Sequence, residues 1–314
     1  MQIKEGYIPF MGFKTYYRIA EAENSDLPPV LLLHGGPGST HNYMEIFDCF
    51  AEEGRTMVTY DQIGCGNSYV DGHPELWKME TWISELTTIR NALHLEKCHI
   101  LGQSWGGMLL LQYLISCHPE GVISAVLSST LPSSQLWGSE QHRILRYFPK
   151  DEQDAIKEAE RTGNYTTKAC QKATEHFMSM RCASAPTPND PEYIRKPKRI
   201  GTESYVTAWG NNEYTPSGTL KDFDVREELK NINIPSLILS GTDDLCTPLI
   251  AKTMHDRIPN SSWYLFEGVR HMCYLEKPEI YMPLLKKWLK ACDEGNIKRD
   301  FISNSLKRGR KTNR

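Results

Sequence analysis

Apolar and polar positions alternate along residues 1–20 on either side of Gly12, as at 7–10 and 14–19. A period of two predicts an opening antiparallel hairpin. The next run breaks that pattern: Pro29-Val30-Leu31-Leu32-Leu33 is apolar almost throughout, as expected of a strand buried on both faces of a parallel sheet. Residues 57–60, 98–101, 123–129, 235–241 and 262–266 have the same strand character, whereas 80–94 and the segment after Gly106 repeat at helical spacing.

The alternation of strand and helix is interrupted once. From about Pro132 to about Gly218 the chain turns polar and helical, with a charged stretch at 151–161 and prolines at Pro186, Pro188, Pro191 and Pro197. This predicts an α/β core in two parts, 1–131 and 219–297, split by a mainly helical cap at 132–218. A basic tail follows at 298–314, with seven basic residues and one acid, and reads as a solvated, disordered end.

Two of the strands run into glycine-rich turns. Residues 98–101 lead into Gly102-Gln103-Ser104-Trp105-Gly106-Gly107, a G-x-S-x-G between a strand and a helix. In that context the string reads as a nucleophile elbow, where small residues let a strand reverse into a helix with almost no space between them. A serine hydroxyl is a poor nucleophile at neutral pH, so a base must take its proton and a carboxylate must orient that base. With the chain order serine, acid, histidine, the acid falls in Gly241-Thr242-Asp243-Asp244-Leu245-Cys246-Thr247-Pro248, and Asp244 is preferred over Asp243. The histidine is His271, which follows the last strand. His34, His41, His94, His99 and His118 precede the acid, and His255 reads as an exposed helical residue.

The oxyanion formed by attack on a carbonyl needs two aimed N–H donors, worth on the order of 3 kcal/mol each. Trp105, directly after the serine, is one; Gly36, in the turn His34-Gly35-Gly36-Pro37-Gly38, is the other. There is no H-E-x-x-H, no phosphate loop and no complete dinucleotide fingerprint, so neither a helix-based zinc peptidase nor a nucleotide-binding enzyme is expected.

Composition narrows the setting. A net charge of -3 argues against nucleic acid as a partner, and the absence of a long apolar segment argues against a membrane span. Nine cysteines without a C-x-x-C pair fit reduced, mostly buried thiols. Together with a start that lacks an apolar leader, this predicts a cytoplasmic protein; the oligomeric state is open, with a monomer favoured.

The turn at His34–Gly38, the stretch Asp61-Gln62-Ile63-Gly64-Cys65-Gly66-Asn67-Ser68, the elbow, the acid loop and His271 together resemble the proline iminopeptidase family of α/β-hydrolases, over about residues 5–290. The resemblance implies an α/β-hydrolase fold, a mostly parallel central sheet with helices on both faces and an inserted helical cap. It further implies a cofactor-free exopeptidase acting on short peptides or amino-acid amides, with Ser104, Asp244 and His271 as its triad. In the family, cap carboxylates hold the substrate ammonium. Glu213 resembles one of these, in the manner of the tricorn-interacting aminopeptidase branch, and a buried ammonium does require such a partner. Two positions depart from the pattern: Leu245 replaces a second amine-binding glutamate, and Ile63 stands where many members have arginine. An amino-acid amide hydrolase of prolinamide type and a carboxylesterase or lactone hydrolase without amine recognition are the rival enzymes. A ligand receptor that kept the fold without turnover is the rival from another class.

Overall fold

Within the sheet, apolar runs are continuous because both faces are covered. Val30 and Leu32 of β3 (Val30–Leu33) join one buried cluster while Leu31 and Leu33 join the other. Ile238 parts from Leu237 and Leu239 in the same way. A period of two is therefore present, although both sets are apolar.

The computed structural model describes residues 1–23 and 25–302. Two nine-residue strands, β1 (Gln2–Phe10) and β2 (Phe13–Glu21), form the expected hairpin. With β3, β4 (Met57–Tyr60), β5 (Cys98–Gln103), β6 (Val122–Ser128), β7 (Ser236–Gly241) and β8 (Ser261–Phe266) they build one eight-stranded sheet in the order β1-β2-β4-β3-β5-β6-β7-β8. β2 pairs antiparallel with both β1 and β4, and every later pairing is parallel. After β4 the chain crosses to the other side of β3, so the strand order reverses between β3 and β5. The crevice beyond the carboxyl ends at such a reversal is where open α/β sheets bind ligands.

Among helices of ten residues or more, α1 (Met79–Ala92) and α2 (Trp105–Cys117) pack in one cluster. Three follow β6: α3 (Ser134–Leu145), α4 (Lys150–Thr162) and α5 (Lys168–Arg181). Beyond β7 come α6 (Pro248–Arg257) and α7 (Pro278–Asp293). The fully buried Trp288 of α7 anchors the opposite cluster and donates Nε1–H to Ser124 Oγ at 3.2 Å.

The cap excursion closes on itself at a stem. Ser134 N donates to Phe223 O at 2.9 Å and Val225 N to Pro132 O at 2.9 Å, so the returning strand of the stem lies at 223–225, a few residues beyond the 218 boundary read from composition. The tail also differs from expectation at its start. Asp300 N donates to Ser261 O at 3.0 Å, the Arg299 guanidinium donates to the carbonyls of His255, Ile258 and Pro259, and Ile302 is buried. Residues 299–302 are thus tied to the core, with Ile302 buried, while Lys298 is exposed; 303–314, the rest of the tail, lie outside the described residues. His255 is likewise not exposed: its ring sits 3.0 Å from Ser261 Oγ and 3.2 Å from Asp300. Six of the nine cysteines are buried and all are free.

Trp288→Ala removes a fully buried indole together with its hydrogen bond. The expected cost is about 3–5 kcal/mol, read as a lowered urea midpoint at unchanged m-value; a loss under about 1 kcal/mol would contradict this packing.

Candidate active site

β5 ends against a helix that starts at the very next turn, and the backbone between them is strained. Ser104 has φ 55° and ψ −123°, a conformation that costs a non-glycine residue roughly 1–3 kcal/mol. The surroundings hold it there. Its N–H donates to Ser128 O at 3.0 Å, and its carbonyl accepts from Thr130 Oγ1 at 2.6 Å and from Gly107 N at 2.9 Å. Close approach explains the flanking glycines: a Cβ on Gly102 would lie 2.3 Å from Gly106 O, and one on Gly106 would lie 2.2 Å from Leu33 O.

The loop after β7 carries Asp244, which is fully buried. Its Oδ1 accepts from Cys246 N at 2.9 Å and lies 2.7 Å from His271 Nδ1. A carboxylate there holds the proton on Nδ1 and leaves Nε2 free to act as a base. Asp243 is half exposed and lies 3.9 Å from Arg181, away from this pair. His271 is 5% exposed, its N–H donates to Arg181 O at 3.1 Å, and the Trp137 ring meets its imidazole edge-on at 6.1 Å.

Arg181, at the end of α5, is a contact that sequence reading missed. Its guanidinium donates to Asp244 O at 2.7 Å while its own carbonyl accepts from His271 N, so one cap residue ties together the acid and histidine loops. Nothing in the local sequence marks it, since both contacts are between distant segments.

A cavity of about 420 Å³ opens where the cap meets the crevice at the strand reversal, bordered by Gly36, Ser104, Tyr205, Glu213, Leu245 and His271. Trp105 is buried behind it. As the first residue of α2, its N–H has no partner within the helix. Glu213 is half-buried in the cap wall. Its Oε1 accepts from Tyr205 Oη–H at 2.7 Å and its carbonyl from Trp137 Nε1–H at 2.7 Å. Burial pushes its carboxyl up, against the opposing effects of the Tyr205 hydrogen bond and the nearby His271. Among the cap aromatics, Tyr205 borders the cavity, whereas Trp137 and Trp209 pack edge-on against each other at 6.1 Å.

The motif 61–68 supports the turn that carries Gly36. Gln62 N donates to His34 Nε2 at 3.0 Å, Gln62 Nε2 donates to His34 O at 3.0 Å, and Gln62 Oε1 accepts from Trp105 Nε1 at 2.7 Å. Burial pushes His34 down to about 4, which keeps it neutral and able to accept. Burial also works against ionisation of Asp61, but hydrogen bonding and charge from His41, with the Asn67 N–H, hold its carboxyl below the usual range. His34, Asp61 and Cys65 are the only cluster of metal-ligating type among the described residues. Their atoms are engaged within the fold: His34 Nε2 accepts from Gln62 N–H, Asp61 accepts from His41 N and Asn67 N, and Cys65 Sγ donates to Gln62 O at 3.1 Å. Among the described residues, no helix is long and apolar enough to cross a membrane.

Residues 28–278 match the family model for the alpha/beta hydrolase fold. A proline iminopeptidase of Clostridium botulinum is 53% identical over 293 residues, covering 93% of this chain and 100% of the relative. One from Lactobacillus helveticus is 52% identical, covering 94% and 100%. The chain belongs to the proline iminopeptidase family of α/β-hydrolases. The crystal structure of a proline iminopeptidase from Mycobacterium smegmatis superposes with a TM-score of 0.81 at 29% identity, covering 93% of this chain and 99% of that one. Membership in the proline iminopeptidase family agrees with the resemblance carried by the motifs and with the predicted α/β-hydrolase fold.

Glu85 of α1 is a further support with no sequence signal. It is fully buried, accepts from Thr15 Oγ1 at 2.5 Å and from Ile63 N at 2.8 Å, and so joins β2 to the 61–68 loop. Burial pushes its carboxyl from 4.5 up to about 8, despite these hydrogen bonds. The native chain therefore keeps a proton that the unfolded chain releases, so this contribution to stability is complete below pH about 4.5 and is lost as pH rises toward about 8. Melting curves between pH 5 and 8 should show the wild-type Tm falling relative to that of Glu85→Gln; parallel pH dependences would refute it.

Proposed function

We propose that this chain is a serine exopeptidase that releases N-terminal proline from short peptides, with Ser104, His271 and Asp244 as its triad, Gly36 and Trp105 N–H groups as the oxyanion hole, and Glu213 as the anchor for the substrate ammonium. The observation that carries the reading is that Ser104, His271 and a half-buried carboxylate, Glu213, border one cavity. The names of its relatives at about half identity support the same activity.

Ser104 Oγ attacks the carbonyl carbon of the first residue as His271 Nε2 takes its proton, and the carbonyl π pair moves to the oxygen facing Gly36 and Trp105. Collapse of this intermediate breaks the C–N bond, and the imidazolium passes its proton to the departing amine. Water, deprotonated by the same imidazole, then attacks the acyl-enzyme, and the free amino acid leaves as Ser104 regains its proton. Asp244 stabilises the imidazolium throughout. An amine held by Glu213 places only the first carbonyl at Ser104, so the enzyme trims and does not cut internally.

Leu245 is buried at the cavity wall and supplies no second carboxylate. One carboxylate with an apolar wall favours proline and small apolar residues, and the same site would accept an amino-acid amide such as prolinamide, the second reading.

Hydrolysis of proline, alanine and leucine p-nitroanilides, free and N-acetylated, beside prolinamide and a simple acyl ester, tests these assignments. Ser104→Ala should lower kcat on the order of 10⁴-fold or more. Cleavage should be confined to free-amine substrates, and Glu213→Gln should lower kcat/KM on them about 50-fold, the equivalent of ~2–3 kcal/mol. Equal turnover of acetylated substrates, or of the ester alone, would leave a general esterase.

Charge on Glu213 has a pH signature. Because burial raises its carboxyl, protonation on acidification removes the anchor early, so KM for proline p-nitroanilide should rise as pH falls through that raised range. In Glu213→Gln this rise should be absent, and an identical KM profile in both proteins would exclude the assignment.

A further inference from the structure

The cavity beside Ser104 is bordered by one carboxylate, Glu213, and by one lysine, Lys198, among the described residues. The two lie on different parts of its wall. Glu213 is joined to Tyr205 and Trp137, next to His271. Lys198 Nζ lies 5.7 Å from the centre of the Tyr43 ring. That tyrosine accepts from Gly35 N at 2.5 Å and donates to Gln103 Oε1 at 3.0 Å, which sets Lys198 by the turn on the Gly36 side.

Lys198 has no committed counter-ion. No carboxylate lies within 4 Å of its Nζ among the described residues, whereas neighbouring Lys196 lies 3.8 Å from Glu45. Glu45, the acid whose charge acts on Lys198 from a distance, is also approached by Arg18 and His41, each at 3.8 Å. Lys198 is half-buried, and burial pulls its ammonium down from its ordinary range. A partly desolvated cation facing a cavity gains most from an anion that arrives with the ligand.

We infer that Lys198 binds the free C-terminal carboxylate of the substrate, so that Glu213 and Lys198 together select short zwitterionic peptides, above all dipeptides with N-terminal proline. The inference rests on the exopeptidase reading and deepens it. A volume of about 420 Å³ lies toward the small end of ligand sites and suits two residues better than a long chain. After cleavage the released amino acid keeps its carboxylate on Lys198, and its new amine is free to accept the proton from His271.

The test compares Pro-Ala with Pro-Ala amide, which differ only in the terminal charge, each followed by release of free proline. Their kcat/KM ratio is measured on one preparation and is therefore insensitive to the fraction of active protein. The wild type should favour the acid by about tenfold, the size of one charge-assisted contact. The ratio should fall toward one in Lys198→Met, fall below one in Lys198→Glu and persist in Lys198→Arg. Wild-type cleavage of proline p-nitroanilide with no preference for the acid, or an acid preference unchanged in Lys198→Met, would overturn the role of Lys198 alone. Failure of the wild type to cleave any free-amine proline substrate would overturn the exopeptidase reading and this inference with it.

Discussion

Backbone-to-backbone contact at the Ser104 turn sets the position of everything around it. α2 approaches β5 and β3 so closely that the space for a Cβ is taken by Gly106 O at Gly102 and by Leu33 O at Gly106. Ser104 is the one side chain left at the apex, and its positive φ is held by hydrogen bonds to the neighbouring backbone at Ser128 and to Thr130. Strain of this kind persists only where the surroundings over-determine the conformation. The strands on either side supply that constraint, and so the serine becomes a fixed reference point for the loops after β3, β7 and β8.

Two sets of buried polar contacts extend the reference point outward. On the Gly36 side, His34, Gln62 and Trp105 form a chain in which each donor finds an acceptor, and a neutral His34 is what makes the chain consistent. Glu85 and Asp61 hold the loop that carries Gln62. On the other side Asp244 orients His271, with Arg181 bridging both loops from the cap. Unpaired groups at such depth would each cost on the order of 1–3 kcal/mol, so the networks either form as units or destabilise the site as units.

In the proposed reading, the cap makes a general hydrolytic centre selective. Its helices carry no part of the proposed triad, yet Tyr205, Glu213 and Lys198 all enter the cavity from it. Glu140 of α3 accepts from Thr247 Oγ1 at 2.6 Å and Gln141 donates to Leu245 O at 2.8 Å, so the cap is registered on the acid loop as well as on His271. The cap wall of the cavity and the Asp244 and His271 loops are therefore mechanically joined, and a change in cap packing would reach both.

The strands and the glycine-rich turn at Ser104 were legible from residues alone, and the proposed Asp244 and His271 were named from their places in loops after late strands. Each is a local feature: an apolar run, a turn that only small residues permit, or a side chain in the loop directly after a strand. Glu213 came only through resemblance to a family, because a carboxylate in a polar cap has no distinguishing period. The return of the cap stem at 223–225, the attachment of residues 299–302 and the partly buried His255 were not visible in composition, which records polarity but not what a residue meets across space. Arg181, Glu85 and Lys198 have no local signature at all. Their significance arises from contacts such as Glu85 with Thr15, 70 positions apart, or Arg181 with Asp244, 63 positions apart. The amino-acid sequence by itself determined which elements form and which groups are chemically available. Only the tertiary structure decided which of those groups share a cavity, because desolvation and charge depend on neighbours that the chain brings together only by folding.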